Sequence, residues 1–478
     1  MEDLVIPGMT RNNMPELPEV ETVKATLHEL VHGKKISDVK IIRAKNVEND
    51  PEEFKNALIG ATITHFERVG KFIIFRFDKD SVLISHLRME GKYFLKKKDD
   101  PIGKHDLVVF YFTDGTCLMY NDTRRFGMLK VSSVDSYMKE PPLSNVGPDP
   151  FMMKDASRLE KAFKNKKIAI KTALLDQSIM SGLGNIYVDE VLFATAIHPE
   201  TPAYLIKRQQ LEWILKESRR ILGEAIHAGG TTIKSYHPRE GVSGNFQYAL
   251  QVYGKKDKPC PRCGHLMRKI FVNGRGTTFC PKCQKNIDLP YVVGVTGPIG
   301  SGKSEACKYL ESLGFLYLSA DKIVHDLYKD KKVQDGIKKI IPELKIDNGD
   351  IDREFLKNYL LDNPNKKRRL EKYVHAQVEE VFVKAIKSTP KSKSIVLEVP
   401  LLFESRIDDY CNDTLFIDVS EKKQIENLVD RNENFKKALK LNQNFNYKEN
   451  KKKATYVVGN DKDIAHLNKE LAAIFSYK

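Results

Sequence analysis

The pattern of apolar and polar positions changes character twice along the chain. In the first 130 residues, Phe72–Phe77, Ser81–His86, Leu107–Phe112 and Thr116–Tyr120 are β-type runs separated by turns containing Asp and Gly. Ahead of them, Val20–Leu30 has the spacing of an amphipathic helix, so this region is expected to be β-rich with a leading helix. Residues 131–150 are rich in Pro and Ser and end in Asn145-Val146-Gly147-Pro148-Asp149-Pro150, the composition of a linker. Beyond it, Ala156–Phe163, Ile186–Ala194 and Lys207–Ala228 place apolar residues three and four apart, which predicts helices. Residues 250–285 form a small cysteine-bearing module, and from Tyr291 onward strand, loop and helix patterns alternate as in a parallel α/β sheet. Only about seven residues lie between Cys283 and the Tyr291–Val295 strand, so a short tether is expected there.

Composition narrows this picture. A chain of 478 residues corresponds to about three domains, and 41% hydrophobic residues suffice for true cores. Net charge is +15; residues 1–289 hold 45 Lys and Arg against 35 Asp and Glu, and residues 290–478 hold 34 against 29. The excess in the first part suits a polyanion partner, although a solvated Lys-rich surface has the same composition. Of seven cysteines, four form two CxxC pairs and Cys117, Cys307 and Cys411 are scattered, which fits a reducing compartment rather than a disulfide framework. There is no run of about 18 apolar residues and no signal layout at the start, so a cytoplasmic protein without a membrane partner is expected.

The strongest local pattern is Cys260-Pro-Arg-Cys263, sixteen residues, then Cys280-Pro-Lys-Cys283. Two such knuckles can set four thiolates tetrahedrally around one structural Zn2+, whose binding supplies folding energy that so short a segment lacks. A redox role for one pair is the weaker alternative. Four thiolates leave no open coordination position. Arg275, on the hairpin between the knuckles, is suited to gripping phosphate.

Several motifs then appear in a fixed order: Pro15-Glu16-Leu17-Pro18-Glu19-Val20-Glu21, Asp122-Thr123-Arg124-Arg125-Phe126-Gly127, Gly182-Leu183-Gly184-Asn185-Ile186-Tyr187, Gln251-Val252-Tyr253-Gly254, and the zinc knuckles. Over residues 14–285 the chain resembles the formamidopyrimidine-DNA glycosylases. The resemblance implies a β-rich sandwich, a helical helix-two-turn-helix segment and a zinc finger acting on damaged double-stranded DNA. It implies excision of oxidised purines such as 8-oxoguanine and formamidopyrimidines, followed by cleavage at the abasic site. Pro15 would be the nucleophile, forming an iminium with the sugar C1′ through an N-terminal amine that titrates near about 8. Glu16 would handle protons at the sugar ring with Glu19 in support, Lys71 would be a second proton donor and phosphate contact, and Arg275 the zinc-finger arginine. Met89, Arg124 and Phe126 would fill the space left by the flipped base. His105, Lys166 and Asn185 would hold phosphates, with Lys164 and Lys167 as neighbouring candidates for the lysine. Residues 231–247 would form a cap over the extruded base. Taken singly, Glu16 and Glu19 could equally serve the dipole of the following helix, and Lys71 could be a surface charge.

This chemistry sets a condition on the chain start. An internal proline nitrogen is a tertiary amide with a delocalised lone pair and cannot form an iminium. Met1–Asn13 precede Met14 and Pro15, so Met14 is expected to be the functional start, with residues 1–13 absent from the mature protein.

Gly297-x4-Gly302-Lys303-Ser304 follows an apolar strand and precedes the Glu305–Leu313 helix pattern, the context of a phosphate-binding loop. Gly297, Gly300, Ser301 and Gly302 would wrap ATP phosphates, Lys303 would reach the β/γ-phosphates, and Ser304 would ligate Mg2+. Ser319-Ala320-Asp321-Lys322, Tyr373-Val374-His375, Glu398-Val399-Pro400-Leu401-Leu402-Phe403-Glu404 and Asp430-Arg431-Asn432 follow. Residues 290–478 resemble dephospho-CoA kinase, which implies an α/β P-loop kinase domain with a parallel sheet that phosphorylates the dephospho-CoA 3′-hydroxyl. Asp321 would be the base, or else a helix N-cap; Arg431 would close over the phosphates, with Lys440 near it. Glu398 stands where the family commonly has aspartate, and Gly459-Asn460 where it has Asp-Asn.

The expected organisation is therefore a β-rich catalytic domain (14–130), a linker (131–150), a helical DNA-binding domain (151–250), a zinc finger (251–285) and a kinase domain (290–478), with two independent activities. The rival for the first half is a damage-binding module without catalysis. For the second half it is a kinase of nucleoside monophosphate type. The two halves could also act as separate proteins.

Overall fold

Val20, Val23, Leu27 and Val31 form one apolar stripe on the first helix, α1 (Leu17–Val31), which starts with Pro18 in its first turn, where a missing N–H costs nothing. The computed structural model describes residues 14–231, 245–347, 350–430 and 445–476. It divides between Asn286 and Ile287 into two units.

In the first unit, β1 (Ile36–Ile41) leads to α2 (Pro51–Leu58), whose Asp50 N-cap accepts bonds from the Glu52 and Glu53 amides. Then follow β2 (Ile63–Val69), β3 (Phe72–Phe77), β4 (Val82–His86), β5 (Lys92–Lys97), β6 (Asp106–Phe112), β7 (Thr116–Asn121) and β8 (Met128–Ser132). These strands make two antiparallel four-stranded sheets, ordered β1-β6-β7-β5 and β2-β3-β4-β8. Val39, Phe110 and Leu118 from one sheet meet Ile73, Phe75 and Leu83 from the other in a shared core, together with the stripe of α1. Strand β3 is apolar on both faces because its other side also lies under cover. Phe72 and Ile74 pack with Leu143, Val134, Tyr137 and Val146. The segment expected as a linker thus carries the end of β8 and then covers the outer face of the second sheet.

The helices follow: α3 (Ser157–Phe163), α4 (Ile170–Leu174), α5 (Asn185–Ala194) and α6 (Arg208–His227). The predicted ranges lie within one or two residues of those seen, except that α4 carried no periodic signal in its five residues. Every residue of α5 from Ile186 to Phe193 is buried, including Asp189, which is met by Lys171, and Glu190, which accepts from the Gln251, Val252 and Tyr253 amides. Leu17, at the head of α1, belongs to the core of these helices rather than to the sandwich core. The chain around Pro15 is thereby seated against the helical layer. The zinc-module hairpin is β9 (Arg268–Val272) and β10 (Arg275–Phe279), turned through Asn273 and Gly274, both at positive φ.

The second unit is β11 (Val292–Thr296), α7 (Lys303–Ser312), β12 (Leu316–Ser319), α8 (Ala320–Leu327), α9 (Lys331–Lys338), the two-residue strands β13 (Ile346–Asp347) and β14 (Asp350–Ile351), α10 (Arg353–Asp362), α11 (Pro364–Ser388), β15 (Ile395–Glu398), β16 (Asp413–Asp418), α12 (Glu421–Asp430), α13 (Tyr447–Lys453), β17 (Tyr456–Gly459) and α14 (Ile464–Phe475). The sheet order is β12-β15-β11-β16-β17, with every neighbour parallel. Helices cover both faces, giving two separate cores, and the strands are accordingly near-continuous apolar runs. The loop after β11 leaves the carboxyl end of the central strand, where open parallel sheets gather their ligands.

Candidate active sites

Four separated segments build the first site. Pro15 is half-buried and precedes Glu16, the N-cap of α1, whose amide donates to Glu19 Oε2 at 2.9 Å. Glu16 is 2% exposed. Its carboxylate turns away from its own helix to the start of α5. Oε2 accepts from the Gly184 amide at 2.6 Å and the Tyr187 amide at 3.3 Å, and Oε1 from the Ile186 amide at 2.7 Å. These are the unpaired donors of a helix N-terminus, which favour negative charge. The fit depends on Gly184, where a Cβ would lie 2.4 Å from Glu16 Cδ.

Burial still dominates. It pushes the Glu16 carboxyl up to about 7, against the downward pull of Lys71 and of the Ile186 and Tyr187 amides. Lys71 is buried too, its Nζ donating to the Leu183 carbonyl at 2.9 Å, and desolvation lowers its pKa while Glu16 and Glu19 hold it up. Glu19 accepts from the Tyr187 hydroxyl at 2.7 Å and from the Thr231 amide and hydroxyl at 2.8 Å. The site therefore offers a carboxyl poised near neutrality beside a lysine inclined to give up its proton, with the Pro15 nitrogen adjacent in sequence.

Residues expected at DNA gather on loops of the sandwich. Met89 lies in the turn between β4 and β5, and Phe126 is 56% exposed with the Arg124 guanidinium 5.0 Å from its ring centroid. Asp122, fully buried, holds this loop by accepting from the amides of Arg124, Phe126 and Gly127 at 2.7 to 2.8 Å. Asn46 Nδ2 donates to the Arg125 and Gly127 carbonyls on the other side. An exposed aromatic on so tightly tied a loop can enter a base stack without first being ordered. His105 is half-buried at the start of β6, and its carbonyl accepts from the Asp122 amide. Lys166 is engaged with Asp176 at 3.3 Å. Asn185 Nδ2 donates to the Gly276 carbonyl at 3.1 Å. Most of the expected cap lies outside the described residues.

The four cysteine sulfurs lie within 4.8 Å of one another, with Cys260 to Cys283 at 3.9 Å and Cys263 to Cys280 at 3.5 Å. Tetrahedral Zn–S bonds of about 2.3 Å require sulfurs about 3.8 Å apart, so the donor set fits zinc. The module is anchored on the far end of α5. Arg262 donates to the Ala194 carbonyl at 2.8 Å and stacks on Phe193, and Gln284 donates to the Ile197 carbonyl at 2.9 Å. Arg275 is exposed at the start of β10 and close enough to depress the pKa values of Lys71 and Lys171.

The second site is nearly continuous in sequence. Gly297, Gly300 and Gly302 all have positive φ, and a Cβ on Gly297 would lie 2.5 Å from the Ile417 carbonyl oxygen. Lys303 Nζ curls back onto the Gly297 and Pro298 carbonyls at 3.0 and 2.8 Å. Ser301 lies within the loop, its carbonyl accepting from Asn460 Nδ2 at 2.8 Å, while Gln424 and Asn427 of α12 hold the Ile299 and Gly300 carbonyls at 2.7 and 2.9 Å. Ser304 Oγ donates to Glu398 Oε1 at 2.6 Å, and the Tyr317 hydroxyl donates to Glu398 Oε2. Asp321 opens α8, and desolvation, then Glu398, push its carboxyl up. It is the second residue of α8, two positions after the N-cap Ser319, and so does not cap the helix. Arg431 and Lys440 lie outside the described residues. Tyr317, Gln424 and Asn427 were not singled out from the sequence, because nothing local marks a residue whose partner lies 81 positions away, as for Tyr317, or more than a hundred, as for Gln424 and Asn427.

Comparison with known proteins gives a consistent account. Residues 14–129 match the formamidopyrimidine-DNA glycosylase N-terminal domain, 146–237 the H2TH domain of the same enzymes, and 257–286 the zinc finger found in FPG and IleRS. Residues 291–466 match dephospho-CoA kinase. The formamidopyrimidine-DNA glycosylase of Bacillus licheniformis is 48% identical, the match spanning 57% of this chain and 100% of the relative; that of Ligilactobacillus salivarius is 46% identical over 57% and 99%. A Lactococcus lactis Fpg bound to abasic-site DNA has 40% sequence identity and a TM-score of 0.54, with 57% of this chain and 100% of that one covered. A structure of MutM with DNA containing carbocyclic 8-oxo-G has 40% identity and a TM-score of 0.53 at the same coverage. The chain belongs to the formamidopyrimidine-DNA glycosylase family through residues 14–286 and carries, after them in sequence, a dephospho-CoA kinase domain.

Proposed function

We propose that the chain is a bifunctional enzyme: a DNA glycosylase and abasic-site lyase for oxidised purines, and an ATP-dependent dephospho-CoA kinase. The observation that carries the first activity is the buried Glu16 carboxyl, held by the start of α5 and pushed up to about 7 beside Lys71. In this reading Pro15 acts as a free secondary amine, so the active form begins at Pro15. The amine attacks C1′ as the bond to the base breaks, and the base leaves as an anion that takes a proton from solvent, so that the single N–H proton stays on the now cationic nitrogen. Loss of the remaining N–H proton and opening of the sugar ring, with Glu16 donating to the ring oxygen, give the iminium. The iminium acidifies C2′–H, and elimination expels the 3′-phosphate. Lys71 takes or returns protons at this centre. Arg275, Asn185, His105 and Lys166 hold the backbone, while Met89, Arg124 and Phe126 occupy the vacated stack. The four cysteines hold structural zinc, which keeps the hairpin folded.

The kinase reading rests on the glycine loop at the end of β11, with Lys303 and Ser304 at the start of α7. Bound phosphates would replace the Gly297 and Pro298 carbonyls as partners of Lys303. Ser304 and Glu398 offer oxygen donors 2.6 Å apart, a set that suits Mg2+, which neutralises charge on the transferring phosphoryl group. Asp321 accepts the acceptor hydroxyl proton. No helix among the described residues is long and apolar enough to cross a membrane; a cytoplasmic location is the one the proposed substrates imply.

Borohydride trapping on a duplex containing 8-oxoguanine opposite cytosine tests the first activity. An adduct mapped to Pro15 is expected from protein beginning at that residue, and none from protein that retains residues 1–13. Failure of the Pro15 form to trap would overturn the lyase reading and leave a damage-binding module. Comparing dephospho-CoA with nucleoside monophosphates as acceptors tests the second, and preference for a monophosphate would overturn it.

A further inference from the structure

Lys171 is fully buried and has no role in the chemistry above. Its Nζ donates to Asp189 Oδ1 of α5 at 2.7 Å and to Thr277 Oγ1 of β10 at 2.8 Å, with the Gly276 carbonyl at 3.4 Å. The Thr277 hydroxyl, having accepted from Lys171, donates to the carbonyl of Arg275 at 3.0 Å. The other Asp189 oxygen accepts from the Thr278 amide at 2.9 Å. One buried hydrogen-bonded line therefore runs from α5 through Asp189, Lys171 and Thr277 to the backbone of Arg275. The same α5 presents its first amides to Glu16.

A buried ion pair of this kind is weak support for stability, because desolvating both ions offsets their attraction. What it supplies is a fixed geometry between two elements. Apart from this line, the hairpin tip is set by its own two strands, by the zinc knuckles on either side of it and by Asn185 Nδ2 on the Gly276 carbonyl. Arg275 is an exposed, long side chain, and the direction it takes depends on the carbonyl and amide on either side of its Cα. We infer that Thr277, clamped by the Lys171–Asp189 pair, is a positioning residue for Arg275. It registers the zinc hairpin against the helix that holds Glu16, so that the phosphate contact and the catalytic carboxyl keep one spacing. This rests on the reading of Arg275 as a phosphate contact.

A double-mutant cycle on the full chain with a free Pro15 amine tests it. Thr277→Val keeps the shape and the Lys171–Asp189 pair but removes the junction hydroxyl. Dissociation constants are measured for a duplex carrying a tetrahydrofuran abasic-site analogue, and single-turnover excision for 8-oxoguanine. Thr277→Val is expected to weaken binding about fivefold, the loss of roughly one hydrogen bond's net worth, with one zinc per chain retained. Thr277→Ser, which keeps the hydroxyl, restores wild-type binding. In an Arg275→Ala background Thr277→Val should add nothing beyond about twofold, because the residue it positions is gone. The same fivefold loss in both backgrounds, or no loss from Thr277→Val in the wild type, would overturn the inference. If Arg275→Ala alone leaves binding unchanged, it is the phosphate reading of Arg275 that fails, and the inference falls with it.

Discussion

The two catalytic regions solve the problem of an unliganded charged site in opposite ways. The glycosylase site buries its carboxyl completely and satisfies it with three backbone amides of another helix. The kinase loop satisfies its charged groups with neutral neighbours, Lys303 on loop carbonyls and Glu398 on the Ser304 hydroxyl. In the first arrangement the donors are already in place for the ionised carboxylate, and such preorganisation costs no rearrangement when the proton leaves. The second must exchange internal hydrogen bonds for a polyanion, so its groups stay accessible and its bonds replaceable. Burial tunes protonation in one, and exchange tunes affinity in the other.

The largest test of this contrast is a reciprocal pair. Glu16→Gln should lower base excision by about a thousandfold, within the range for losing a general acid, and Lys303→Ala should lower phosphoryl transfer by a similar factor on the order of 10³. Each should leave the other activity within twofold. A loss in both assays from either substitution would break the comparison by showing that the sites communicate. Acidity sharpens it further. In the proposed mechanism Glu16 works protonated, its carboxyl pushed up to about 7 by burial, whereas a free Pro15 amine would work unprotonated and titrate near about 8. Excision should therefore peak between these values and fall about tenfold per pH unit on either side. In Glu16→Gln the alkaline fall should vanish, leaving a small rate that rises with pH to a plateau. An alkaline limb that survives the substitution would assign it to another group.

Zinc and glycine separate the regions at intermediate size. Chelating the metal should reduce duplex binding about a hundredfold, because the hairpin carrying Arg275 is held by the knuckles, and should leave phosphoryl transfer unchanged. Gly184→Ala should cost excision about thirtyfold. Its new methyl would meet the Glu16 carboxyl at 2.4 Å, and about an ångström of displacement is enough for such losses. Unchanged excision in Gly184→Ala would mean that the carboxyl need not occupy the cradle seen here.

How far the sequence revealed these sites follows the same contrast. The kinase loop is eight consecutive residues whose glycines and lysine act where they stand, so spacing alone exposed it. Glu16, Lys71, Gly184 and Arg275 come from four distant segments, and only the order of whole motifs drew them together. Charge and periodicity were silent on Lys171 and Asp189, which resemble any other surface pair in a Lys-rich chain until the fold buries them. Strands β3, β4, β6, β7 and β11 were legible because a near-continuous apolar run reports burial directly, whereas β1, β2, β5 and β8, with charged residues interleaved, were not among the runs picked out. The cover over β3 was not, since Val134, Tyr137, Leu143 and Val146 are too widely spaced among prolines and serines to make a pattern.

The smallest effect probes the exchangeable site. Glu398 is held from both sides, by Ser304 on one oxygen and by the Tyr317 hydroxyl on the other. When Mg2+ takes Ser304, Tyr317 remains to fix the carboxylate, so Tyr317→Phe should leave the ring in place and free the carboxylate to rotate. The expected change is about a threefold rise in the Mg2+ concentration for half-maximal rate, the scale of one modest hydrogen bond. KM for ATP at saturating Mg2+ should stay the same, because Lys303 and the loop amides are untouched. A rise in KM for ATP with no change in metal dependence would instead place Tyr317 at the nucleotide, and Glu398 would then owe its orientation to Ser304 alone.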